Sequence, residues 1–153
     1  MKLYLAMWVR GPLKDKITIE EMNKNKQRAV IYAEQLEKDL GKNHSLVLPH
    51  TDKILTQIDE AWAKDRSPHW VDKAMSRCYA LLESCDGIIL ITLGTLTEGM
   101  SDEKEHAKNK GMFVYQMEHL TKQNVQHLKQ CLEEYEGFQR NGMQVPMTIV
   151  SKQ

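Results

Sequence analysis

Glu103 is the side chain whose type and setting most directly suggest chemistry. It closes the triplet Ser101-Asp102-Glu103, which follows the loop Gly94-Thr95-Leu96-Thr97-Glu98-Gly99 and precedes a helical segment that stops near Gly111. Read as cap and first turn, the triplet predicts a helix beginning at Ser101. The Glu103 carboxylate then meets the positive end of the helix dipole, which favours its ionised form by about 0.3 to 1 kcal/mol. An ionised carboxylate at the carboxyl end of a sheet can act as a nucleophile. Acidic residues in a first turn also simply stabilise helices, and the local sequence leaves both roles open. The Thr97-Glu98-Gly99 turn can offer a hydroxyl and backbone N–H groups to a phosphate. With neither a GxGxxG segment nor a P-loop lysine, a dinucleotide or triphosphate held in those ways is not expected. Glu103, Glu105 and His106 lack metal-ligand spacing, and His50, His69 and His119 can meet only through the fold, so neither a metal nor a cofactor is expected.

The elements that must position these groups read as an alternation of strands and helices. Residues 87–93 are a short, β-branched apolar run between turn residues, a strand buried on both faces. With the following loop, helix and apolar run 112–115 they make a βαβ unit, and ligands of such sheets lie beyond the carboxyl ends of the strands. That locates a site between Gly94 and Glu103. Residues 2–6 suit a central parallel strand, and the turn at Gly11-Pro12 sits at its carboxyl end, which puts Trp8 and Arg10 on the ligand side. Packing on a helix for Trp8 and solvation for Arg10 are the alternatives. Thr18, with Glu21 as capping-box partner, starts a helix that Gly41 stops, with Met22, Ala29, Val30, Ala33, Leu36 and Leu40 on one face. A second strand over 45–48 is closed by Pro49. His50, Thr51 and Asp52 follow it, as ligand contacts or as a helix cap. A helix over 52–64 is broken and restarted at Ser67-Pro68, and the restarted helix turns Val71, Met75, Cys78, Ala80, Leu81 and Leu82 to the sheet. A last helix covers 121–136, and 144–150 form an edge strand or a packing tail. The expected architecture is α/β: one doubly wound domain over 1–153, with a parallel sheet of four to five strands and helices on both faces.

Composition narrows the classes further. In 153 residues, 21 basic and 21 acidic side chains cancel, and no long run of like charge marks a nucleic-acid arm, so nucleic acid is not an expected partner. Three cysteines without CxxC or CxxH spacing point to a reducing compartment and to thiols used as small apolar groups. No apolar run is long enough to span a bilayer, and a soluble cytoplasmic protein is the expectation.

Tyr4-Leu5-Ala6 in the first strand, the helix ending at Gly41, the strand closed by Pro49, the pair Cys85-Asp86 and the spaced series Thr97, Gly99, Glu103, Ala107, Gly111 together resemble the nucleoside 2-deoxyribosyltransferase-like family, over residues 2–116. The resemblance implies a flavodoxin-like fold and cleavage of the N-glycosidic bond of a nucleoside or a nucleoside 5′-monophosphate. Glu103 is then the nucleophile on the anomeric carbon, and the sugar passes to another base or to water. Chemically, an anionic carboxylate stabilises positive charge growing on the sugar while a proton donor helps the base leave. Thr97, two residues before Gly99, agrees with the hydrolase branch, in which a hydroxyl and loop amides receive the 5′-phosphate. Tyr4, Thr97, Gly99 and Ser101 then surround the ligand, with Arg10 on a phosphate and Trp8 stacked on a base. Three features depart from the family pattern. Met7-Trp8-Val9-Arg10 intervene between the first strand and Gly-Pro, Glu98 adds a negative charge to the phosphate loop, and the helical aspartate falls at Cys78, which leaves Asp72 as a candidate acid or helper. An inactive nucleotide-binding or protein-interaction module on the same fold is the alternative. Family members assemble as dimers or larger, so a homo-oligomer is implied.

Overall fold

The computed structural model describes residues 1–152, within which five strands and five α-helices alternate except for two successive helices between the second and third strands. Strand β1 (Lys2–Ala6) pairs in parallel with β2 (Ser45–Val47) on one side and with β3 (Gly87–Ile91) on the other. Beyond β3 lie β4 (Phe113–Met117) and β5 (Thr148–Val150), also parallel, giving the order β2-β1-β3-β4-β5. This is the doubly wound, flavodoxin-like arrangement. The strand order reverses between β1 and β3, the place where loops diverge and leave a crevice at the carboxyl ends.

Strand periodicity assigns the two faces. Leu3, Leu5, Ile89, Ile91, Phe113 and Tyr115 point to one side, against helices α1 (Ile19–Leu40) and α5 (Lys122–Arg140). Tyr4, Ala6, Ile88, Leu90 and Val114 point to the other, against Met100 and Ala107 of α4 (Glu98–Asn109) and Leu82 of α3 (Pro68–Glu83). Tyr4 thus faces α4 because it stands one residue out of phase with Leu3 and Leu5.

Local signals set the helix ends. Thr18 and Glu21 form the full capping box of α1, and Gly41 closes it. Met22, Ala29, Ala33, Leu36 and Leu40 are buried on its inner face, each large side chain contributing about 1.5 to 3 kcal/mol before entropy. Val30, expected on that face, is half-buried. Asp52 caps α2 (Lys53–Asp65), and Ser67 caps α3 with Pro68 in its first turn.

Two expectations need correction. Helix α4 begins at Glu98, not Ser101, because the Thr97 hydroxyl accepts from the Met100 amide and serves as the cap. In α3 only Leu82 is fully buried and Ala80 is exposed. The cause is that Val71 and Met75 border a cavity, while Cys78 and Leu81 pack, half-buried, with Leu82 against the sheet-side core as expected.

Candidate active site

A cavity of about 640 Å³ opens at the carboxyl ends of β1 and β3, at the reversal of strand order. Residues after β1 (Met7 to Gly11), after β2 (Pro49, His50) and after β3 (Thr95 to Gly99) form its rim, and α2 and α3 wall it on the outer side.

Glu103 lies in the second turn of α4 and points inward at 8% exposure, so the first-turn dipole expected from a start at Ser101 does not govern it. Burial does. It raises the carboxyl from 4.5 to about 7, opposed by the hydrogen bond from Tyr4 and helped by the neighbouring charge of Asp102. The Tyr4 hydroxyl donates to Glu103 Oε2, and its own pKa is held well above the usual value by burial, by Glu103 and by Cys78. The Cys78 thiol is pushed up to about 12, first by burial and then by the Glu103 charge. At neutral pH it is a neutral thiol and not a nucleophile. Glu103 is therefore the group in this corner that is poised between charged and neutral forms, with one oxygen fixed by Tyr4.

Trp8 is a rigid wall. Its indole N–H donates to the Thr92 carbonyl at 2.7 Å, and the Arg28 guanidinium stands 5.6 Å from its ring centre. Gly11, at φ +64°, abuts the ring so closely that a Cβ there would collide with it. Arg10 is 5.1 Å from the Trp62 ring centre and 3.6 Å from the Asp15 carboxylate. Arg66, in the left-handed conformation at the end of α2, stacks at 4.2 Å on the same Trp62 ring and donates to the carbonyls of Asp15 and Ile17. These contacts tie the segment after β1 to α2.

Of the residues expected around a ligand, Tyr4, Trp8, Arg10, Thr97, Gly99, Asp72 and Glu103 all line this one cavity. Ser101 does not: it is inside α4, its amide donating to the Thr97 carbonyl, and it neither caps the helix nor reaches the wall. Thr97 spends one hydroxyl lone pair on its cap. Asp72 is exposed and borders both the cavity and an outer groove between α2 and α3.

His50 and Asp59 complete the wall. His50 is buried, with Nε2 2.9 Å from the Met7 carbonyl. A carbonyl only accepts, so Nε2 carries the proton and Nδ1 is a bare acceptor, which has no protein partner among the described residues. Burial lowers its pKa to about 4, so the ring is neutral. Asp52, the other candidate after β2, caps α2 and pairs with Arg77 at 2.8 Å instead. Asp59 forms an ion pair with Lys26 of α1 at 2.7 Å, both side chains largely shielded, and burial raises its pKa more than Lys26 lowers it. One sequence signal for Asp59 existed. Leu55, Asp59, Trp62 and Arg66 follow helical spacing, so a carboxylate sits in the inward stripe of α2.

Among the described residues no group of His, Cys, Asp and Glu is arranged to hold a metal ion, and no helix is long and apolar enough to cross a membrane. No protein-family model matches the chain, and no curated protein or solved structure is significantly similar to it.

Proposed function

We propose that this protein cleaves or transfers the N-glycosidic bond of a nucleoside or nucleoside 5′-monophosphate, with Glu103 attacking the anomeric carbon. The observation that carries the reading is the buried Glu103 carboxylate, held at one oxygen by Tyr4, in the wall of a nucleoside-sized cavity at the β1/β3 reversal. The other carboxylate oxygen is left to approach the sugar, and the low-polarity corner strengthens its attraction to developing positive charge. The apolar wall of Trp8 suits a flat base. The first-turn amides of α4 suit a 5′-phosphate, which Glu98 at the rim opposes, whereas Arg10 is held over the Trp62 ring beside Asp15 and acts on Asp59. Covalent attack releases the base and leaves the sugar esterified to Glu103. Water or a second base then takes the sugar and frees the carboxylate.

The test is incubation with a panel of nucleosides and 5′-monophosphates, alone and with a second base, followed by chromatography for free base. Glu103→Ala should fold and release none. Full activity in that variant would sink the mechanism.

A second reading, a binding module without turnover, is favoured by Cys78. A neutral thiol stands where the resembled family places a helical aspartate, and a thiol with its pKa near 12 is a poor proton donor to a leaving base. Nucleotide binding with no free base from any substrate or acceptor pair would select it. A cytoplasmic homo-oligomer belongs to the same proposal, and sedimentation of the purified chain tests the assembly.

A further inference from the structure

Two largely buried carboxylates from different elements line the cavity. Glu103 comes from α4 and Asp59 from α2, and the Cys78 thiol of α3 lies within the field of both. If the anomeric carbon sits at Glu103, the base attached to it needs a complementary wall, and the neighbourhood of Asp59 has the composition of one. Leu55, Trp62 and Val71 provide apolar flanks for a flat ring, and Asp59 is the polar group set among them.

Asp59 is a pure acceptor when ionised, and Lys26 occupies its Oδ2. Lys26 is not part of the cavity wall, so it supplies countercharge from behind without offering a donor to the ligand. His50, on the same cavity, offers no polar atom to a ligand, since its Nε2 proton is committed to the Met7 carbonyl and its Nδ1 is fully enclosed. The Asp59 carboxylate is then the largely buried acceptor of this wall, and an acceptor-only group matches a ligand edge that carries an N–H donor. Exposed Asp72, at the rim between two grooves, lacks that shielding.

Resting on the reading that the cavity takes a nucleoside or nucleotide, we propose that Asp59 recognises the base by accepting a hydrogen bond from an exocyclic amine, with Lys26 as its positioning partner. The site then selects amino-bearing bases over heterocycles that lack the amine.

The experiment measures binding, so it does not depend on turnover. Protein carrying Glu103→Gln is titrated by calorimetry with 2′-deoxyadenosine against purine 2′-deoxyriboside, and with 2′-deoxycytidine against 2-pyrimidinone 2′-deoxyriboside, each as the nucleoside and as the 5′-monophosphate. In each pair the ligands differ by one amine. For at least one pair the amino ligand should bind on the order of 10- to 100-fold more tightly, as expected for a hydrogen bond to a charged acceptor. Adding Asp59→Asn should cut that preference by about tenfold. Lys26→Met should cut it as well, while Lys26→Arg retains it, a split that loss of packing alone would not produce. Equal affinities within both pairs, or no binding of any ligand, overturn the proposal, and this comparison needs no Asp59 variant to fold. Release of free base without amine preference would leave the cleavage reading standing and remove Asp59 from it. Amine-selective binding without release of base from any substrate would do the reverse.

Discussion

The Tyr4 hydroxyl donates to Glu103 Oε2, joining the central strand β1 to the second turn of α4 inside the protein. The bond opposes the effect of burial on Glu103, so Tyr4 adjusts the pH at which that carboxylate becomes charged. If Glu103 attacks as an anion, the rate should rise as pH passes through about 7. In Tyr4→Phe the Glu103 pKa goes up, and the rising limb of the kcat profile should move to higher pH. The loss is then larger at pH 7 than at pH 9, and an unmoved limb would separate Tyr4 from the ionisation of Glu103.

Glu103 and His50 should pull stability in opposite directions across one pH window. Glu103 goes from 4.5 to about 7 on folding, so its contribution is greatest below 4.5 and is lost as pH rises through 7. His50 goes from 6.5 to about 4, so its contribution is present above 6.5 and is lost as pH falls toward 4. Each shift corresponds to about 3 kcal/mol. Denaturant unfolding of Glu103→Gln should therefore lose about that much more stability than wild type between pH 7 and 4.5, and His50→Gln should lose less than wild type over the same range. Parallel curves for all three proteins would contradict both assignments.

Gly99 and Gly11 should respond oppositely to alanine. Gly99 has an ordinary helical backbone, and a Cβ would come no closer than 3.6 Å to Met75 Sδ, so Gly99→Ala should leave the melting temperature unchanged or raise it. Any penalty should appear in KM, because the added methyl borders the cavity. Gly11→Ala meets both a left-handed φ, costing about 1 to 2 kcal/mol by itself, and the Trp8 ring. A clear drop in Tm, with altered tryptophan fluorescence, is expected.

Thr97 should behave as a cap before anything else. Thr97→Val removes the acceptor for the Met100 amide and should cost about 1 kcal/mol in unfolding free energy, whereas Thr97→Ser should cost little. A 5′-monophosphate substrate that also uses the hydroxyl would show a rise in KM for Thr97→Val beyond that seen with the corresponding nucleoside.

Much of the framework is legible in residue order because its signals are local. The capping box of Thr18 and Glu21, the Ser67-Pro68 start of α3 and the unbroken apolar run of β3 each determine a boundary within a few residues. The start of α4 is harder to read. Gly99 weakens the helical pattern and Ser101-Asp102-Glu103 imitates a cap, but the Thr97 hydroxyl reaches the Met100 amide and the helix gains a turn. That shift changes the physics of Glu103 from dipole-assisted to desolvated. The partnership of Asp59 with Lys26, and the orphaned nitrogen of His50, arise where α1, α2 and the segment after β2 converge on the carboxyl ends, which no local window contains.

Tyr4 and Glu103 are 99 positions apart, and β1 finds its β3 partner at a comparable distance. At about 5 to 20 residues per second, a ribosome adds Glu103 roughly 5 to 20 seconds after Tyr4. During that interval α1, β2, α2, α3 and β3 are all made, but the Tyr4 hydroxyl still lacks the carboxylate it bonds in the finished fold. The Tyr4–Glu103 corner therefore forms only once the fourth helix closes over a strand made about a hundred residues before it.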